Sequence, residues 1–537
     1  AVRQAAPSGW GDGESLASAL ASAVSNLKRR LPGADCAQPA GIQIDVISGA
    51  YSTIEKPTPE NTETAAELLD PGADGLKIED SGAVYYLAPS ALIYRRVFAP
   101  DPEVQPASEL LTKACLQFGL PAQRWTAPGL RLWSFHTVSF VEDSSRSKAL
   151  RVVRGTVTGM PVDGEHLVAA ARLAGDYLIR AQRQDGSFHY YYNPMVERPD
   201  SKRYNIIRHE GAASSLFELY RVTGDRRYLL TAVRAVDFLK TRIRSFSEHA
   251  AGEANKSSST QGEGASPGVA DTVYVAADGA DDRTQLGANG LGLLVLIDEI
   301  KYQKKTGDEE LARKLARMIL IMQKKDGSFS NAYYTSGEGT EDLPSLYYPG
   351  EAMLALMNLY EMTKDKKLLD SVRRGADILM RAEKQLGDLP PDAWFAQALE
   401  KLYAVTGERP YADYAIDLAV SMVDSQYADN APEGYAGGIA PGIPRAVQSA
   451  SRAEGVLAGY RLARQITDWR SAKLLSGLNS SAAFDMSQQF TVDNSFFLPD
   501  PSRATGGIRE SVTSMRIRID YVQHTISSLL GLYSLAN

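Results

Sequence analysis

"LYRVTGD" at 219–225, "LYEMTKD" at 359–365 and "LYAVTGE" at 402–408 are one phrase written three times. Looser copies stand at 304–310, "KKTGDEE", and 465–471, "QITDWRS". In each, a Thr-Gly or Thr-Lys turn closes one helix, and the acid that follows caps the start of the next. The phrase is the elbow of a helical hairpin.

Working outward, helices rich in small residues begin near His209, Gly287, Gly350, Asp392, Arg452 and Tyr521. Amphipathic helices alternate with them at about 164–184, 226–244, 309–324, 366–383, 411–426 and 470–484. The segments "QRQDGSFHYYYNP" (182–194) and "MQKKDGSFSNAYY" (322–334) repeat a Gln-x-x-Asp-Gly-Ser-Phe turn after an amphipathic helix. The long loops therefore leave from one end. An open solenoid would keep a fixed period, about 34 residues in a tetratricopeptide array. Here the elbow threonines at 223, 306, 363, 406 and 467 are 83, 57, 43 and 61 residues apart. Irregular steps point to long loops on one face of a closed (α/α)6 toroid, with small-residue helices crowded at the hub and amphipathic ones outside.

The region before it has another grammar. "SLASALASAVSNLKRRL" (15–31) reads as an amphipathic helix, whereas "IQIDVIS" (42–48), "AVYYLA" (83–88), "LRLWSFHTVSFV" (130–141) and "LRVVRGTV" (150–157) read as strands. The expected organisation is a small α+β domain over 1–158 followed by the all-α toroid over 159–537. Within the toroid, 247–268, poor in apolar residues and rich in Ser, Gly and Glu, is expected to be a mobile surface loop. "LLTKACLQFGLPAQRW" (110–125) followed by a strand resembles the C-terminal part of AMMECR-type domains, through Lys113, Gly119, Leu120, Pro121 and Trp125. The resemblance covers about a third of the region and lacks that family's Leu-Arg-Gly-Cys-Ile-Gly motif, so it bears on fold rather than function.

Hydrophobic residues at 44% and charged residues at 23% are globular values. A formal charge of −7 offers little attraction to nucleic acid or anionic lipid. No apolar run approaches the roughly 20 residues of a membrane helix. The opening "AVRQAAPSGWGDG", without Met or an apolar segment, fits a mature chain after signal-peptide removal, which makes a secreted, periplasmic or cell-surface location the expectation. Cys36 and Cys115 make no disulfide framework, and they are either paired or two buried thiols. The six histidines are scattered at 136, 166, 189, 209, 249 and 524, and no Walker or dinucleotide glycine signature follows a strand. Neither metal nor cofactor is expected.

The hairpin count, the Asp-Gly-Ser-Phe loops and the polar starts of the inner helices together resemble the six-hairpin glycosidase-like superfamily, which includes N-acyl sugar and uronyl epimerases. The resemblance spans about 165–537. It implies a carbohydrate substrate and an active site in the funnel where the inner helices begin. The first turns there carry Arg208, His209 and Glu210; Tyr347, Tyr348 and Glu351; Asp392 and Trp394; Arg452 and Glu454; and Asp520, Tyr521 and His524. Each has a bland reading: Glu351 and Asp392 as complements to a helix N-terminus, Arg452 with Glu454 as a structural pair, His524 as a core histidine. Recurrence at five helix starts favours a shared polar cavity, because an unpaired buried charge costs several kcal/mol.

Hydrolysis of a glycosidic bond needs a protonated carboxyl and a carboxylate. Glu210 is the expected acid, its pKa set by Arg208 and His209, and Asp392 or Glu351 the base. Epimerisation is the alternative, with His209 and His524 as the proton-transfer pair and Arg208 or Arg452 holding a carboxylate. A non-catalytic sugar-binding or scaffold protein is the third reading. In "FHYYYNP" (188–194), Tyr190 and Tyr191 are expected to offer the funnel a stacking face, since three consecutive aromatics cannot all enter one core.

Overall fold

The structure, a computed structural model, describes residues 42–535 apart from 59–62, 100, 144–147, 196–197, 200–203, 247–268, 270, 277–281, 305, 337–338 and 388, together with 15, 18–23 and 25. The loop expected over 247–268, Cys36 and most of the helix expected over 15–31 lie outside the described residues.

Six strands come first: β1 (Gln43–Thr53), β2 (Asp74–Asp80), β3 (Ala83–Leu87), β4 (Arg131–Glu142), β5 (Ala149–Val153) and β6 (Thr156–Val157). They form one antiparallel sheet with β4 as its spine. β1 runs along one edge of β4, while β2 and β5 share the other. Helices α1 (Ala65–Leu68), α2 (Pro89–Tyr94) and α3 (Ala107–Gln117) accompany the sheet. After α3 the chain turns at Gly119, whose φ is +72°, and the indole of buried Trp125 donates to Thr112 Oγ1 at 3.0 Å. Cys115 is a free, buried thiol.

Among the described residues, twelve helices follow in alternation. The inner set is α5 (Ile206–Thr223), α7 (Leu286–Gln303), α9 (Tyr348–Thr363), α11 (Ala393–Thr406), α13 (Ala446–Gln465) and α16 (Ile519–Tyr533). The outer set is α4 (Gly164–Ala181), α6 (Arg226–Lys240), α8 (Glu309–Ile321), α10 (Lys366–Leu386), α12 (Arg409–Asp424) and α14 (Ser471–Ser487); the short α15 (Pro501–Ala504) lies in the last long loop. Each inner helix packs on the next, and α16 returns to α5, so the inner ring closes. Small residues allow the approach: a Cβ at Gly455 would stand 2.8 Å from Ala393 Cα, and one at Gly459 would stand 2.3 Å from Ala419 Cβ. Close-packed interiors do not absorb such overlaps cheaply.

The elbow phrase has a common mechanism. Thr223, Thr363 and Thr406 each donate the hydroxyl to the carbonyl four residues earlier, at 2.6, 2.9 and 2.9 Å. Each then accepts from the amide two residues on, at 3.2, 3.3 and 3.2 Å. One hydroxyl thus joins the end of one helix to the start of its partner. Asp225 and Asp365 go on to cap the amides of Arg227 and Lys367, the arrangement that satisfies otherwise orphaned first-turn donors.

A second device locks the outer ring. Gln182, which follows α4, donates to the Thr231 carbonyl on α6 at 2.8 Å, and Gln323, which follows α8, donates to the Ser371 carbonyl on α10 at 2.9 Å. Gln426, after α12, reaches Ser481 Oγ on α14 at 2.6 Å. Gln489, after α14, reaches the Ala170 carbonyl on α4 at 2.9 Å and ties the last outer helix to the first. The loops leave no room for a side chain where they cross: at Gly506, with φ of +85°, a Cβ would lie 2.0 Å from the Leu173 carbonyl oxygen. A substitution there meets both strain and overlap.

Sheet and toroid share one continuous apolar core, which includes Leu76, Ile78 and Leu132 on the sheet and Leu474 and Leu529 on the helices. Arg154, with a side chain 1% exposed, pairs with Asp70 at 2.7 Å and donates Nε to the Glu433 carbonyl at 2.6 Å. No helix among the described residues is long and apolar enough to cross a membrane.

Candidate functional site

The first turns of the inner helices meet at one end of the hub. Local sequence sets each start: Asn205 accepts from the Arg208 amide, Pro349 opens α9, and Asp392 accepts from the Phe395 amide through Oδ1 at 3.0 Å. Proline costs nothing at a position whose amide has no helical partner. These starts bring together Arg208, Tyr348, Glu351, Asp392, Trp394 and Asp520; α13 begins at Ala446 and not near Arg452 as expected, so Arg452 and Glu454 join them from its second and third turns, and His524 joins from the second turn of α16.

On α16, Asp520 is bound from two sides. Arg208 Nε lies 3.0 Å from Oδ2, and Arg518 Nε lies 2.6 Å from Oδ1. Arg208 also donates to the Tyr190 hydroxyl, and Arg518 stands 4.5 Å above the Tyr521 ring. The three tyrosines of 190–192 divide: Tyr190 and Tyr192 are buried, whereas Tyr191 is half-buried with the Arg516 guanidinium 5.9 Å above its ring.

Beside this cluster, Glu351 is 4% exposed and leans on the first turn of α7, where a Cβ at Gly287 would stand 2.4 Å from its Oε2. That oxygen has no hydrogen-bond partner among the described residues. Burial pushes the Glu351 carboxyl up to about 8, against a lowering by nearby His524. Asp392 leans in the same way on α9, 3.0 Å from where a Gly350 Cβ would be. Its Oδ1 is the helix cap and its Oδ2 has no partner among the described residues. Burial, then the Phe395 amide in the opposite sense, then the charges of Glu383 and Glu351, hold its pKa well above the carboxylate range. Tyr348 donates its hydroxyl to Gln285 Oε1 at 3.3 Å, and neighbouring Tyr347 is 45% exposed.

Glu454 and His524 form an ion pair, Nδ1 to Oε1 2.8 Å, with side chains only 8% and 13% exposed. Trp394 flanks the imidazole with ring centres 6.2 Å apart. Burial lowers the His524 pKa, but the charge and hydrogen bond of Glu454, with the charges of Asp520 and Glu351, outweigh it and the net shift is upward. The structure therefore does not join Arg452 to Glu454. Arg452 instead donates Nη1 to Ser425 Oγ at 2.8 Å.

His209 and Glu210 sit behind this group. Fully buried His209 donates Nε2–H to the Ala235 carbonyl on α6 at 2.9 Å and accepts from the Tyr204 hydroxyl at Nδ1. Phe188 and Phe238 pack its faces. Burial takes its pKa down to about 4. Glu210 is also fully buried, its carboxyl 3.0 Å from where a Gly292 Cβ would be, in the company of Val275. No group of three or more His, Cys, Asp or Glu with metal-holding geometry occurs among the described residues.

Sequence reading passed over Gln285, Ser425 and Arg518. Arg518 had a signal, because "RIRID" (516–520) alternates as extended chain and places 518 and 520 on one side.

No family model and no curated protein matches the chain. Solved structures do. A cellobiose 2-epimerase from Bacillus thermoamylovorans B4167 superposes with a TM-score of 0.52 at 14% identity, over 69% of this chain and 100% of its own. The GH76A α-1,6-mannanase from Salegentibacter sp. HEL1_6 gives 0.46 at 13%, over 69% and 100%. An unsaturated glucuronyl hydrolase specific for heparin gives 0.45 at 13%, over 69% and 98%. At such identity the likeness to the epimerase establishes the (α/α)6 toroid fold and leaves chemistry to the site itself.

Proposed function

We propose that the chain is a carbohydrate-active enzyme that hydrolyses a glycosidic bond, with Glu351 as proton donor and Glu454 as the carboxylate that takes the proton of the attacking water. The observation that carries this reading is the Glu351 carboxyl: buried in the ring of inner-helix starts, with one oxygen unpartnered among the described residues and its pKa raised by burial to about 8. A general acid must arrive at the bond carrying its proton. Glu351 gives that proton to the leaving oxygen, water bonds to the anomeric carbon, and Glu454 accepts the proton that water loses. His524 holds Glu454 through the 2.8 Å contact from Nδ1 to Oε1 and fixes the orientation of that carboxylate. Asp392 suits the acceptor role less well, because one oxygen is committed to the α11 amide and burial raises its pKa well above the carboxylate range. Trp394 and Tyr347 supply apolar faces for sugar rings.

The Glu454–His524 pair also favours a second reading, epimerisation, in which a proton leaves and returns at a sugar carbon next to a carbonyl. That reading needs a second proton carrier, and His209, sealed against Ala235 and of pKa about 4, is not placed for it.

A panel of oligosaccharides and polysaccharides incubated in D2O with wild type and Glu351→Gln separates the readings. Reducing ends appearing with wild type and dropping at least 100-fold in the variant support hydrolysis, a size in keeping with general acid catalysis. Deuterium at a sugar carbon without new reducing ends supports the epimerase. Neither product from any sugar ends both.

A further inference from the structure

The arginines around the site are not equally matched. The chain carries a formal −7, yet three guanidinium groups, Arg208, Arg452 and Arg518, stand here beside the Glu454–His524 pair. His524 holds Glu454, and Arg208 and Arg518 are both matched on Asp520. Arg452 is not, since its polar contact among the described residues is the neutral Ser425 hydroxyl. It stands within electrostatic reach of Tyr347, which in turn is within reach of Glu351 and Asp392.

A half-buried guanidinium without a counter-charge is expensive to keep. The cost falls when a ligand brings the anion, and a planar guanidinium matches a carboxylate in two parallel hydrogen bonds. The one hydrogen bond to Ser425 fixes the orientation of Arg452 and leaves its other donors for that purpose.

We infer that Arg452 is the receptor for a carboxylate on the sugar, so that the substrate class is a uronic-acid-containing glycan rather than a neutral one. This rests on the reading of the site as a sugar site and adds the feature that selects among sugars. Ser425 is a positioning residue for Arg452. A neutral sugar leaves the guanidinium unmatched, which is the discriminating penalty.

The test measures binding, separately from turnover, with the full chain carrying Glu351→Gln so that sugars persist. Oligoglucuronates, oligogalacturonates and oligomannuronates are titrated by calorimetry beside the same oligosaccharides reduced at the carboxyl to the neutral sugar, and beside sulfated neutral oligosaccharides. At least one uronate is expected to bind tenfold or more tighter than its reduced form. Adding Arg452→Gln should remove that ratio, and Arg452→Lys should restore part of it; thermal melts show whether the variants stay folded. Equal binding of uronate and reduced forms, a ratio that survives Arg452→Gln, or tight binding confined to sulfated sugars overturns the inference. Neutral oligosaccharides bound and cleaved by the corresponding wild type overturn it while leaving the hydrolase reading intact. Failure of every sugar to bind ends both.

Discussion

Glu351 and Gly287 belong to neighbouring inner helices, and the carboxyl oxygen of the one occupies the space a side chain on the other would need, 2.4 Å from a Cβ at Gly287. The same relation joins Asp392 to Gly350. Glycine at these starts is thus part of how the site is shaped. Gly287→Ala is expected to displace Glu351 and Tyr348 and to lower activity by about 100-fold, the scale of an ångström-sized misplacement. Gly224→Ala, at a turn with φ of +69° and open space around it, should instead cost about 1 kcal/mol of stability with activity unchanged. Activity assays with urea unfolding of both variants check the contrast; equal activity of Gly287→Ala and wild type would contradict it.

His524 owes its raised pKa to Glu454 working against burial. In Glu454→Gln the charge is gone and burial remains, so the imidazole should titrate at lower pH than in wild type. NMR titration of the His524 ring, in protein labelled at histidine nitrogen, reads this directly. Activity should fall in the same variant, because the proton acceptor has become an amide. A His524 titration that does not move would remove the ion pair from the account.

The hairpin elbow was legible because it is local: Leu-Tyr-x-x-Thr, a turn residue and an acid carry the whole hydrogen-bond pattern within seven residues. The outer-ring lock was half legible. Gln182 and Gln323 stand in nearly identical short loops, whereas the loops after Gln426 and Gln489 run further before the crossing glycines, Gly437 and Gly506. Strand β2, "DGLKIED", was not read at all, since acids and Gly75 mask its alternation; Gly75 is there because the Phe135 ring lies over it, 2.3 Å from where a Cβ would be.

At the site, polarity at helix starts was legible and direction was not. Successive residues of a helix turn by about 100°, so Arg208, His209 and Glu210 cannot face the same way. Arg208 reaches Asp520, His209 faces α6, and Glu210 leans towards α7. Their shared position in the sequence hid three different surroundings, set by packing partners remote in the chain.

The elbows predict a stabilising substitution. Lys364 holds φ of +57° where two other elbows have glycine, Gly224 and Gly407. A left-handed conformation costs a residue with a Cβ about 1 kcal/mol, and the Lys364 ammonium, 5.5 Å above the Tyr360 ring at the surface, returns less than that. Lys364→Gly should raise the urea midpoint by the equivalent of about 0.5–1 kcal/mol. Thr363→Val, which removes both hydrogen bonds of the elbow hydroxyl, should lower it by about 1–2 kcal/mol. A neutral Thr363→Val would show that the repeated threonine does not join the helices.

The Glu351 carboxyl ties stability to pH. Its pKa is 4.5 as a free side chain and about 8 in the folded protein. The folded state therefore holds a proton that the unfolded chain has released at every pH between those values, and stability must fall as pH rises through that window. Below about 4.5 both states are protonated and the full contribution is present; above about 8 both are ionised and it is gone. Glu351→Gln carries no such proton. The difference in unfolding free energy between wild type and Glu351→Gln should thus shift against wild type from pH 5 to pH 8 by an amount on the order of a few kcal/mol, with most of the change complete by about pH 8. Paired urea titrations at half-unit steps across this range measure it. A constant difference would mean that Glu351 is ionised in the folded protein, and the same result would strip it of the role of proton donor at neutral pH.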